Sequence, residues 1–204
     1  GLSYEVPVVL ALGGSQAAHA INVAIAEHLY ALTERAQLIH ICGKRDYEWL
    51  EEERNKLPED LRERYRLHSY LHEELIEAMA SADLAISRAG AATLGEFPAV
   101  GLPAILIPYP YSGQHQERNA DYLVAHGAAL KIHNDRLHEE LLPAVIALLN
   151  NPSRLREMSQ SARQMSRPDA VVNIAALLRE IAADTYHPAK SAHARGGSNG
   201  THRD

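Results

Sequence analysis

Aromatic side chains are scarce in this chain. Its 204 residues include one tryptophan, one phenylalanine and nine tyrosines, which make up 5% of the sequence. So few rings argue against a platform for stacking nucleic-acid bases. The net charge of −6, with no basic stripe, points the same way, and no nucleic-acid partner is expected. A lone cysteine, Cys42, excludes an intramolecular disulfide framework and fits a reducing compartment. It ends an apolar run, so it reads as a buried structural thiol rather than a nucleophile. No apolar run approaches the roughly 20 residues of a membrane span, and no signal-peptide pattern opens the chain. Because the sequence starts at Gly1 and enters a strand almost at once, it is expected to be a processed or excised piece of a longer protein.

Several catalytic signatures are also missing. There is no G-x-G-x-x-G, so a standard nicotinamide fingerprint is absent. Gly43-Lys44 is followed by Arg45 and lacks the upstream loop of a Walker motif. The 12 histidines are scattered, with no H-E-x-x-H and no cysteine partners, so neither a metal nor another cofactor is expected. No G-x-S-x-G nucleophile elbow occurs.

What is present alternates between strand and helix. Continuous apolar runs, the mark of strands buried on both faces, cover 6–12 and 37–42. Further strands are expected over 65–70, 83–86, 103–108 and 128–132. Helical periodicity covers 17–34, where Ile21, Ile25, Leu29 and Leu32 share a face, and then 47–56, 73–81 and 116–126. Three more helices, 137–149, 153–165 and 169–183, are separated by Asn151-Pro152 and Arg167-Pro168. The predicted fold is α/β: a Rossmann-like, mostly parallel open sheet of about six strands with helices on both faces. One domain is expected over 1–184, followed by a disordered polar tail over 185–204.

Ligands of such sheets sit beyond the carboxyl ends of the strands. Three turn-rich loops leave strands there. In the first, Gly13 and Gly14 admit a close backbone approach and Ser15 stands at the next helix start. Its hydroxyl is either a phosphate contact or an N-cap, and spacing does not separate the two. The second, Ser87-Arg88-Ala89-Gly90-Ala91-Ala92-Thr93-Leu94-Gly95-Glu96, runs from a strand through a small-residue turn into a helix, whose free N–H groups and dipole suit a diphosphate without a metal. Thr93 and Glu96 have capping-box spacing, and spacing alone favours that over Glu96 as a ribose ligand. Arg88 either pairs with phosphate or lies on the surface. The third loop leads into Gln116 and Asn119, whose amides can read sugar hydroxyls or simply solvate a helix start.

Taken in order, Gly-Gly-Ser-Gln, Ser-Arg-Ala-Gly-Ala-x-Thr-x-x-Glu, Gly-Leu-Pro-Ala-Ile-Leu-Ile-Pro-Tyr-Pro and His-Gln-x-x-Asn-Ala resemble the C-terminal domain of the MurG-type N-acetylglucosaminyltransferases. These belong to glycosyltransferase family 28 and have the two-domain GT-B fold. The likeness runs from about Val6 to about Ile181. It implies a donor site for UDP-N-acetylglucosamine. Ser15 would lie near the diphosphate, with Gly14 and Gly90 beside it, and Leu71 would meet the uracil. Ala91, Ala92, Thr93, Leu94, Gly95 and Glu96 would hold the diphosphate and ribose, and Gln116 would read the sugar, with Asn119 close by. The resemblance lets Glu96 serve as cap and ribose ligand together. Two departures are Ala17, where glycine is usual, and Pro98, inside the helix after Glu96.

The resemblance further implies that the acceptor-binding half, with the general base, lies in an N-terminal domain not in this sequence. The full-length enzyme would convert lipid I to lipid II at the inner face of the cell membrane, meeting the membrane surface and an undecaprenyl-linked acceptor through that half. Other readings are a stand-alone donor-binding subunit that needs a membrane-bound partner, and a related transferase or epimerase for another UDP-sugar.

Overall fold

The computed structural model describes residues 2–3, 5–13, 19–111 and 114–185, with side chains as far as 182. Gly14, Ser15, Ala17 and the tail from 186 onward therefore lie outside the described residues. Six strands form one sheet: β1 (Val8–Leu12), β2 (Gln37–Ile41), β3 (Tyr65–His68), β4 (Leu84–Ser87), β5 (Ala104–Leu106) and β6 (Ala129–Lys131). Their order is β3-β2-β1-β4-β5-β6, and every pairing is parallel.

Parallel strands need crossovers, and the helices that supply them cover both faces. The period-2 alternation of β1 divides the core. Val9 and Ala11 pack with α1 (His19–Glu27), α2 (Leu29–Arg35) and α8 (Leu137–Leu149). Val8 and Leu10 pack on the other side with α5 (Glu74–Ser81), α6 (Thr93–Val100) and α7 (His115–Ala125). The helix expected over 17–34 is interrupted at His28, whose φ of −113° and ψ of 13° end α1 before α2 begins. Two short helices, α3 (Tyr47–Asn55) and α4 (Glu59–Arg62), precede β3. The second replaces part of the connection expected around Pro58, which stands at its N-cap.

Local chemistry explains several boundaries. α9 (Pro152–Met165) starts with proline at N1, and the Asn151 side chain accepts from the Arg154 N–H at 3.1 Å. α6 ends in a Schellman closure. The Leu102 N–H reaches the Phe97 carbonyl at 2.9 Å and the Gly101 N–H reaches the Pro98 carbonyl at 3.1 Å, with Gly101 at φ +69°. Pro98 is accommodated as a buried residue of this eight-residue helix. The chain divides into two compact units, Gly1–Arg167 and Pro168–Asp204. In the second, α10 (Ala170–Thr185) exposes Val171, Val172, Ile174, Leu177, Leu178 and Ile181. Among the described residues, no helix is long and apolar enough to cross a membrane.

Candidate functional site

Because β4 lies beside β1 and β5 beside β4, the segments leaving those three strands share the carboxyl edge, as the sequence predicts. The strand order reverses between β1 and β4, which is where open α/β sheets place ligands.

The turn after β4 leads directly into α6. The N–H groups of Gly90, Ala91 and Ala92 have no backbone acceptor among the described residues, whereas those of Thr93, Leu94 and Gly95 close tight turns back onto Gly90, Ala91 and Ala92. Ala91 and Ala92 are exposed, so small side chains flank the positive end of the helix dipole. The capping box does not form. Ala92 occupies the N-cap and Thr93 is already helical, so the Thr93 hydroxyl donates back to the Gly90 carbonyl at 2.6 Å and not forward to a cap. Glu96 is exposed in the first turn, with no hydrogen bond or ion pair to the described residues. Its carboxylate is left available for a ligand.

Arg88 is 4% exposed, which overturns its surface reading. Nη1 donates to the carbonyls of Ile107 at 3.1 Å and Pro108 at 3.4 Å and to Asn134 Oδ1 at 2.8 Å, while the guanidinium lies over the Tyr109 ring. Burial lowers its pKa to about 10, against the opposing effect of Tyr109. The side chain ties the exit of β4 to that of β5. Asn119 Nδ2 donates to the Ala89 carbonyl at 2.9 Å, and Gln116 Oε1 accepts from the Tyr109 N–H at 2.9 Å. Both amides that were candidate sugar readers thus brace loops around the edge. Gln114, just before α7, has φ +68°, a strained value for a side chain with a Cβ.

A cavity of about 520 Å³ opens at the carboxyl ends of β1, β2 and β3. Leu71 lines it, together with Gly13, Lys44, Arg45, Tyr70 and Leu75. Sequence reasoning missed the last four. For Lys44, Arg45 and Tyr70 the available signal was their place just after β2 and β3, whose exits face the ligand edge, while Leu75 lies in the first turn of α5.

A largely buried polar chain joins α1, β2 and β3 to the segment that follows β2. Tyr65 Oη donates to His40 Nδ1 at 2.8 Å, and His40 Nε2 donates to Asn22 Oδ1 at 2.9 Å. That direction follows because Asn22 Nδ2 donates to the Cys42 carbonyl and to Asp46 Oδ2, leaving its Oδ1 as the acceptor. His19 Nδ1 completes the chain at 2.9 Å from Asp46 Oδ2. Burial pushes the His40 pKa down to about 3 despite the Asp46 charge, so the ring is neutral near pH 7. Burial also acts to raise the Asp46 pKa, but hydrogen bonds from His19, Asn22 and Trp49 outweigh it and hold the carboxyl below its usual value. Cys42 is buried as expected, and burial raises its thiol to about 11, which makes it a poor nucleophile.

An all-parallel sheet whose strand order reverses between β1 and β4, with helices on both faces, defines a doubly wound α/β domain. Within that class the chain belongs to the glycosyltransferase family 28 C-terminal domain family, whose model matches residues 8–174. It is 42% identical over 201 residues to the UDP-N-acetylglucosamine--N-acetylmuramyl-(pentapeptide) pyrophosphoryl-undecaprenol N-acetylglucosamine transferase of Roseiflexus sp., covering 89% of this chain and 45% of that protein. The crystal structure of Acinetobacter baumannii MurG superposes with a TM-score of 0.76 at 29% identity, covering 88% of this chain and 54% of that one. The calicheamicin glycosyltransferase CalG4, at 19% identity and a TM-score of 0.62, shares the fold. The chain therefore spans about half the length of the curated relatives it matches. The expected Rossmann-like half of a GT-B architecture is borne out.

Proposed function

We propose that this chain is the UDP-N-acetylglucosamine-binding half of an inverting N-acetylglucosaminyltransferase that converts lipid I to lipid II. The observation that carries this reading is the α6 N-terminus. Three neighbouring N–H groups without backbone acceptors stand there, with an exposed and unengaged Glu96 one turn further on, in a chain whose relatives bear that transferase name. The N–H groups of Ala91 and Ala92 and the α6 dipole receive the diphosphate, and Glu96 accepts from the ribose hydroxyls. Leu71, in the cavity wall, meets the uracil, and Gln116 reads the sugar with Asn119 beside it. Ser15 and Gly14 belong to the same diphosphate site by sequence.

In the reaction an acceptor-sugar hydroxyl oxygen attacks the anomeric carbon of the donor. The bond from that carbon to the UDP oxygen breaks, and UDP leaves with the electron pair. The hydroxyl proton passes to a base supplied by the acceptor-binding half. The role of this chain is to stabilise the departing diphosphate charge with fixed N–H groups and a helix dipole, with no metal at the donor site. The whole enzyme works at the inner face of the cell membrane, where its undecaprenyl-linked acceptor resides.

Calorimetric titration tests this. UDP-N-acetylglucosamine should bind more tightly than UDP-N-acetylgalactosamine. A Glu96→Ala variant should lose about 1.5–3 kcal/mol, roughly tenfold to a hundredfold in affinity, as expected for hydrogen bonds to a charged group. Its thermal midpoint should stay nearly unchanged, because Glu96 makes no hydrogen bond or ion pair among the described residues. Absence of binding by any uridine nucleotide, both alone and with the acceptor-binding half added, would sink the proposal.

A further inference from the structure

Apart from the side chains already placed at the ligand edge, Glu27, His28 and His138 meet near the surface. Glu27 closes α1, His28 forms the break before α2, and His138 lies in the first turn of α8. One ligand atom from each, a carboxylate oxygen and two imidazole nitrogens, lies within 4.8 Å of the others. His138 Nδ1 stands 2.5 Å from Glu27 Oε2, and the two imidazoles stack with centroids 6.0 Å apart.

We propose that these three side chains form a zinc-binding clamp between the α1–α2 junction and α8. The donor set is the first argument. Two imidazoles and one carboxylate suit Zn²⁺ and related borderline metals, with water at the open position, whereas Mg²⁺ and Ca²⁺ favour all-oxygen shells. The second is anchoring. His28 precedes Leu29 and His138 follows Leu137, and both leucines are buried in the same core cluster. The two backbones are thus held in place while the exposed Glu27 and His138 and the half-buried His28 need only rotate to close on an ion. The third is the break itself. Helical periodicity runs unbroken through 17–34, and neither proline nor glycine stands at the interruption, yet the chain breaks at His28 and the ring reaches the His138 carbonyl at 3.2 Å. No zinc motif is legible in the sequence because His138 lies 111 residues after Glu27 and joins the adjacent Glu27 and His28 only in the fold. The clamp adds to the donor-binding function and is independent of it.

The test compares the full chain with a His28→Ala/His138→Ala double variant and with Glu27→Gln. His187, His193 and His202 are present in all three, so any zinc they take cancels in the comparison. The unaltered chain should bind one more equivalent of Zn²⁺ than the double variant and bind it more tightly than Glu27→Gln. Zinc should raise its thermal midpoint, as a ligand of the folded state does, and Mg²⁺ should not. Co²⁺ bound at the clamp should give visible d–d absorption that the double variant lacks. Because the double variant also loses the His28 contact with the His138 carbonyl and the His138–Glu27 pair, each protein's midpoint is compared with and without zinc. Equal zinc binding by the chain and the double variant, or no midpoint shift in either, would overturn the proposal.

Discussion

Arg88 shows how much one side chain can change meaning between sequence and structure. In the linear motif it stands beside a diphosphate loop and reads as a phosphate ligand or a surface residue. In the fold it is buried and bonded to two carbonyls and an amide that leave neighbouring strands. Arg88→Met should therefore destabilise the domain by about 2–4 kcal/mol, because it strands buried acceptors that were paired with a charge. Urea unfolding would measure this. His40 supplies a pH signature. Its folded pKa of about 3 lies below the ordinary 6.5, so the unfolded chain takes up a proton that the folded chain refuses. The His40 contribution is fully present above about pH 6.5 and is lost progressively as pH falls toward about 3. Asp46, also lowered, adds to the loss at the acid end. A His40→Gln variant should start less stable and show a shallower decline in urea unfolding between those limits.

Among the elements, α6 decides the most. Its N-terminus presents the proposed diphosphate site and its C-terminus fixes how the chain enters β5. The Gly101 closure has a sharp requirement. At φ +69° any Cβ is strained, and an added Cβ would come within 2.5 Å of the Arg163 side chain. Gly101→Ala should cost about 1–2 kcal/mol, the usual penalty of a left-handed conformation for a residue with a Cβ, and thermal unfolding would read it as a lowered midpoint. Most elements were legible because their signals are local. The apolar runs of β1 and β2, Gly127 after α7 and Asn151-Pro152 before α9 each act within a few residues. The misses have equally definite causes. The capping box failed because the chain was already helical at Thr93. α2 separated from α1 at His28, where no breaker residue stands.

For the molecule as a whole, the division of labour sets the strongest expectation. The chain covers about half of its relatives' length and carries the leaving-group half of the proposed chemistry. Alone it should bind UDP-N-acetylglucosamine without transferring the sugar. Supplying the acceptor-binding half of a relative in trans should give turnover, read as UDP release that depends on a lipid-linked acceptor. Turnover by the chain alone would show that the catalytic base lies within it, against the proposed roles.

The sequence by itself determined the alternation of strands and helices, the parallel α/β class and the common edge at which β1, β4 and β5 end. Hydrophobic period, turn residues and helix starts act over a few positions, and a single sequence displays them. Only the tertiary structure decided the strand order, the buried task of Arg88, the Tyr65–His40–Asn22–Asp46–His19 chain and the meeting of Glu27, His28 and His138. These depend on which side chains burial brings together across tens of residues, and the geometry of the packed core sets that.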